Sequence, residues 1–100
     1  MSEELEIRPA VRRFAQAMEL ELRKNDHKGG WQYETPGYLI NRLHQEFGEL
    51  VEVLGPSCPT CHRRREEAGR PEAITAEAAD VANFAMMISD TLGVTGQSSA

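Results

Sequence analysis

The sequence predicts an all-α fold, a three-helix antiparallel bundle whose core is completed by oligomerisation. Three observations lead there: three stretches with apolar residues at helical spacing, turn-forming residues between them, and a third stretch that is apolar nearly all round. A chain of 100 residues forms one domain, and a domain this small buries only about 60–65% of the surface its unfolded form exposes. One partner helix cannot cover an all-round apolar helix, so a second subunit is the expected cover. We place the domain at residues 1–93 and a frayed, small and polar tail at 94–100.

The first helix is expected from Pro9 to Lys24, where Val11, Phe14, Ala15, Met18 and Leu22 share a face and Arg12, Arg13, Glu19 and Glu21 lie on others. Pro9 suits a first turn, where its missing N–H is not needed. Asn25 to Gly37 contains Gly29, Gly30, Pro36 and Gly37 and reads as a loop carrying Lys28 and Trp31. The second helix runs from about Tyr38 to Leu54, with Leu39, Leu43, Phe47, Leu50 and Leu54 as its stripe and Gly55-Pro56 as its stop. Arg42, Glu46 and Glu49 stand on another face. Residues 55–73 form a long exposed connection, with room for a short helical turn near Arg63–Ala68. The third helix is expected to begin with Thr75 as its N-cap and Ile74 as a hydrophobic staple, and to end near Leu92-Gly93. From Ala78 to Ile88 only Asp80 and Asn83 are polar, which implies a buried helix.

Composition narrows the function. A net charge of −5 and a pI near 5.2 disfavour a nucleic-acid binder, which needs a basic stripe to neutralise phosphates. No stretch approaches the roughly 20 apolar residues of a membrane span, and the acidic start, Met1–Ile7, is unlike a secretory signal. A cytoplasmic protein is expected.

The acids are arranged in pairs. Residues three apart on a helix are neighbours, so Glu46 pairs with Glu49 and Glu77 with Asp80. On antiparallel helices the four carboxylates can converge at one level of the bundle. Ionised carboxylates gathered in a sheltered site must protonate, meet cations or bind metal. An all-oxygen set without Glu-x-x-His points away from di-iron and towards Mg²⁺, with Mn²⁺ as the other candidate. Mg²⁺ leaves coordination positions to water and substrate phosphates, which implies a polyphosphate substrate.

Glu46-Phe47-Gly48-Glu49 followed by Glu77-Ala78-Ala79-Asp80 resembles the paired Glu-x-x-Glu and Glu-x-x-Asp of the MazG-like all-α nucleoside triphosphate pyrophosphohydrolases. The resemblance runs from His27-Lys28-Gly29-Gly30-Trp31 to Ala82-Asn83-Phe84-Ala85. It implies hydrolysis of a nucleoside triphosphate, often a deoxy or non-standard one, to the monophosphate and pyrophosphate. It also implies a homodimer or homotetramer. No fourth helix follows Gly93, unlike in longer members, so a subunit partner would supply the missing wall.

On this reading Glu46, Glu49, Glu77 and Asp80 hold Mg²⁺, and Glu46 or Glu49 serves as the catalytic base; the sequence does not separate ligand from base. Trp31 either stacks on a nucleobase or closes the core. Lys28 offers a point charge to a phosphate or is simply exposed. Asn83, one turn beyond Asp80, is assigned to substrate or to orienting a ligand carboxylate. His27 and His44 carry no functional assignment, and Arg63-Arg64-Arg65 reads as a solvated run. Cys58-Pro59-Thr60-Cys61-His62 matches a haem-attachment pattern, which is rejected because that chemistry requires export. Structural Zn²⁺ at Cys58 and Cys61 is disfavoured, since one CxxC is half a signature. Two rival readings are a non-catalytic helical oligomer that binds metal or nucleotide, and a zinc-stapled interaction module.

Overall fold

The computed structural model describes residues 4–54 and 70–93. Among them the fold is all helical: α1 spans Pro9–Lys24, a 3₁₀ turn spans Asp26–Lys28, α2 spans Pro36–Leu54 and α3 spans Pro71–Thr91. The expected Gly55-Pro56 stop, residues 55–69 of the connection with its turn near Arg63–Ala68, the Cys58–His62 segment and the 94–100 tail lie outside the described residues.

Each helix starts on a proline. Pro9 and Pro71 follow residues in extended conformation, Arg8 and Arg70, and Pro36 follows Thr35, whose Oγ1 accepts from the Tyr38 N–H at 3.1 Å. A proline at this position is preset to the helical φ and forfeits no hydrogen bond, while the threonine satisfies one of the orphan donors. Two expected boundaries are thereby corrected. α2 begins at Pro36, so Pro36 and Gly37 belong to its first turn and not to the loop. α3 begins at Pro71, one turn before the expected start, so Thr75 lies inside the helix and is not its N-cap. The expected end of α3 is observed: Gly93 adopts φ 71° and its N–H bonds to the Asp90 carbonyl at 3.0 Å, a left-handed stop that suits glycine.

α3 packs against both α1 and α2. Three pairings fix its direction relative to α2. Glu46 meets Glu77 and Asp80, Arg42 sits over the Phe84 ring, and Trp31, ahead of α2, bonds to Asp90. As numbers fall along α2 they rise along α3, so the two helices are antiparallel. α1 joins α3 through the Asn83 side-chain amide, which donates to the Met18 carbonyl at 3.0 Å.

The core is thin. Leu39 and Ala79 are the fully buried apolar residues among those described. The expectation that α3 is buried all round is corrected: within one chain only Ala79 and Asn83 are buried, Ala85 is exposed, and most of its other residues are half covered. Two helices cover two flanks and leave the rest. The outer face of α2 is likewise open, with Ile40 and Phe47 each more than half exposed beside a shallow apolar groove that reaches Val81. No described helix is long and apolar enough to cross a membrane.

Candidate metal and nucleotide site

A cleft of about 390 Å³ opens where α1, the segment 25–35, α2 and α3 meet. Its geometry follows from the chain path. Glu21, near the end of α1, lies close enough to Asp80 to act on its charge, whereas Trp31 is fixed to Asp90 by an Nε1–H bond of 3.0 Å to Oδ2. Ten residues of helix separate Asp80 from Asp90, about 15 Å at 1.5 Å per residue. The segment 25–35 therefore runs along α3 for that distance and walls the cleft. Gly29, at φ 93°, lets the chain leave the 3₁₀ turn in a conformation that L residues rarely adopt.

The acids stand at one end. Glu46 on α2 and Glu77 and Asp80 on α3 each offer a carboxylate oxygen within 4.8 Å of the others. Three of the four acids expected to converge from the spacing of the two pairs meet here. Glu49, the fourth acid, lies outside that tight group; it is more exposed and lines the cleft, yet is close enough to raise the pKa of both Glu46 and Glu77 through its charge and by hydrogen bonding. Glu77 joins the cluster from beyond the cleft lining.

The electrostatics are those of crowded, partly desolvated acids. Burial, first, and then the charges of Glu21, Glu46 and Glu49 push Asp80 up to about 6 from its ordinary 3.8, opposed weakly by Lys24. Burial and the neighbouring acids raise Glu77. Glu46, only 6% exposed, is raised by burial and Glu49 although Arg42 pulls the other way through an ion pair of 3.1 Å. One Glu77 oxygen, Oε1, is buried without a hydrogen-bond partner. An orphaned buried oxygen beside two more carboxylates is the donor set a hard divalent cation takes, and it contains no sulfur or imidazole to favour a softer metal. The residues fit Mg²⁺ or Mn²⁺.

The three other sequence-derived candidates, Lys28, Trp31 and Asn83, all line the same cleft. Lys28 is exposed. Trp31 is half buried and held by Asp90, which leaves its ring as a wall of the cleft. Asn83, 3% exposed, spends its amide N–H on Met18 and keeps Oδ1 buried without a partner, so it ties α3 to α1 as well as facing the cleft.

Sequence reasoning missed four contributors. Glu21 was placed only on a face away from the apolar stripe of α1, but its side chain is only 14% exposed, is paired with Lys24 at 2.8 Å, and is the largest influence of any charge on Asp80. Arg42 carries the cation that meets Glu46, with its guanidinium 5.0 Å from the Phe84 ring centre; its i,i+4 spacing to Glu46 was the available signal. Glu34, in the segment before α2, and Tyr38, in its first turn, also line the cleft, and nothing in periodicity marks a loop residue such as Glu34 for that position. No protein-family model, curated protein or solved structure matches the chain.

Proposed function

We propose that the protein is a Mg²⁺-dependent nucleoside triphosphate pyrophosphohydrolase of the MazG-like kind, acting as a cytoplasmic homodimer or homotetramer. The observation that carries this reading is the meeting of Glu46, Glu77 and Asp80, from two facing helices, within 4.8 Å at one end of a cleft that also holds Glu49, Lys28 and Trp31. Acids alone would serve any divalent cation. Acids beside an aromatic wall and a lysine suit a ligand with phosphates at one end and a flat base at the other.

Glu46, Glu77 and Asp80 would hold the Mg²⁺. When bound, the ion polarises phosphoryl oxygens and acidifies water. The chain's own groups then divide the work. Arg42 fixes the Glu46 carboxylate in one orientation through its 3.1 Å ion pair. Glu49, open to the cleft and without such a tether, takes the proton from a water that attacks the α-phosphorus; the bond from that phosphorus to the oxygen bridging the β-phosphate breaks, giving the monophosphate and pyrophosphate. Lys28 meets the charge of the departing pyrophosphate. The half-exposed apolar face of α2 around Ile40 and Phe47 supports the oligomer, since a second copy would cover it.

The test is incubation of the full chain with a panel of NTPs and dNTPs plus Mg²⁺, assayed for pyrophosphate. Pyrophosphate release, lowered about 10²–10⁴-fold in Glu49→Gln with nucleotide binding retained, is the expected result. Orthophosphate as the product, or no product from any nucleotide, would overturn the reading.

A further inference from the structure

The cleft continues past the acids to a second end that the hydrolytic chemistry does not use. There Glu34 stands immediately before Thr35, the residue that caps α2. Its backbone N–H donates to the Trp31 carbonyl at 3.1 Å, a turn that holds Trp31 and Glu34 on the same wall. The Trp31 indole is fixed by Asp90. The Glu34 side chain is half buried and lines the cleft. Among the described residues it has no ion-pair or hydrogen-bond partner. Among the described residues the one guanidinium lining the cleft is already committed, since Arg42 serves Glu46 and Gln45 and lies over Phe84. A part-buried carboxylate left unpaired beside a rigid aromatic face is an acceptor waiting for donors.

We propose that this end of the cleft selects a guanine-type base, with Trp31 as the stacking face and Glu34 accepting the base's N1–H and N2–H. The inference rests on the proposed function and names the substrate class of that site. A carboxylate offers two acceptor oxygens and no donor, so it matches an edge that presents two adjacent N–H groups. Guanine does so through its ring N1–H and exocyclic amine. Adenine and cytosine set their amino group beside a ring nitrogen acceptor, and uracil and thymine flank one N–H with two carbonyls, so each places an acceptor against the second carboxylate oxygen. Hypoxanthine keeps the N1–H and lacks the amine. It isolates the contribution of the second bond.

Trp31 is the only tryptophan in the chain, so its fluorescence reports stacking directly. The experiment titrates the full chain with GMP, IMP, AMP, CMP and UMP in Mg²⁺-free buffer and follows quenching. GMP is expected to bind tightest and IMP about tenfold more weakly, the loss of one hydrogen bond to a charged acceptor. Glu34→Gln is expected to bring the GMP-to-IMP ratio close to one. Equal affinity for GMP and IMP in the unaltered chain, a pyrimidine monophosphate that binds more tightly than GMP, or no quenching by any of the five would overturn the proposal, and the ratio in the unaltered chain needs no variant to fold. The two readings fail separately. Pyrophosphate released at equal rates from all bases sinks the guanine selection and leaves the hydrolase standing, whereas GMP-selective quenching without turnover supports the base site and sinks the catalytic assignment.

Discussion

Replacing Asp80 by asparagine should make the metal-free protein more stable at pH 8, although the residue lies at the centre of the site. Asp80 is raised from 3.8 to about 6 by burial and by Glu21, Glu46 and Glu49. The folded state therefore holds this proton more tightly than the unfolded chain. Stability falls as pH rises from about 4 to 6, and above that window the whole penalty stands. The gap corresponds to about 3 kcal/mol, and solvent screening at a partly exposed carboxylate reduces it to about 1–2 kcal/mol. Asparagine keeps the shape and removes the charge. In a domain this small the gain is a rise of roughly 5–10 °C in Tm. Thermal melts followed by circular dichroism in EDTA at pH 8 and pH 4 measure it, and the difference should shrink at pH 4, where the native carboxyl is protonated. A lower Tm for Asp80→Asn at pH 8 in EDTA would refute the reasoning, because it would mean that Lys24 or another group compensates the charge in place.

Mg²⁺ added to the unaltered chain at pH 7.5 should raise Tm, with about 1.4 kcal/mol expected at a tenfold excess over its Kd; calorimetry should show the effect fading below pH 6 as protons compete for Asp80, whose pKa is about 6, and lost in Glu77→Gln. Leu39→Ala should destabilise by about 2–5 kcal/mol, read as a lower urea midpoint, because Leu39 is the one large side chain fully buried among those described. Trp31→Phe and Asp90→Ala should each lower stability by about 1 kcal/mol, and the double variant should lose little more than either alone, which a double-mutant cycle by urea unfolding would detect.

The three helices and the two acid pairs were legible because each rests on local spacing. Leu39, Leu43 and Leu50 repeat on one face of α2, and Glu46 and Glu49 are one turn apart. The boundaries were less legible at two prolines. Pro36 was read as a breaker and Pro71 fell within the expected connection 55–73, yet a proline also starts a helix wherever its missing N–H is not needed. Thr35, with a hydroxyl three residues before Tyr38, was the signal that α2 began earlier. Glu21, Arg42 and Glu34 were missed as site residues for another reason. The places of Glu21 and Glu34 in the cleft depend on how α1 and the segment 25–35 lie against α3, and no periodicity within one helix encodes that packing, whereas Arg42 was marked only by its i,i+4 spacing to Glu46. The MazG-like resemblance supplied an expectation for the acids and for Trp31 but offered nothing about these three.

The thin core and the acid cluster are two sides of one physical arrangement. Ala79, fully buried, sits between Glu77 and Asp80 in sequence and lets α3 approach its neighbours closely enough for acids from α2 and α3 to come within 4.8 Å. A larger residue there would separate the helices and relax the repulsion, and it would also pull the oxygens apart. The small side chain thus gives up apolar burial to gain proximity, in a domain with little burial to spare. Arg42 offsets part of the resulting charge at Glu46, and Lys24 sits beside Glu21, but no cation among the described residues reaches Glu77. The unpartnered Glu77 Oε1 marks where the protein's own compensation ends, and that atom is where the proposed divalent ion would have the most to contribute.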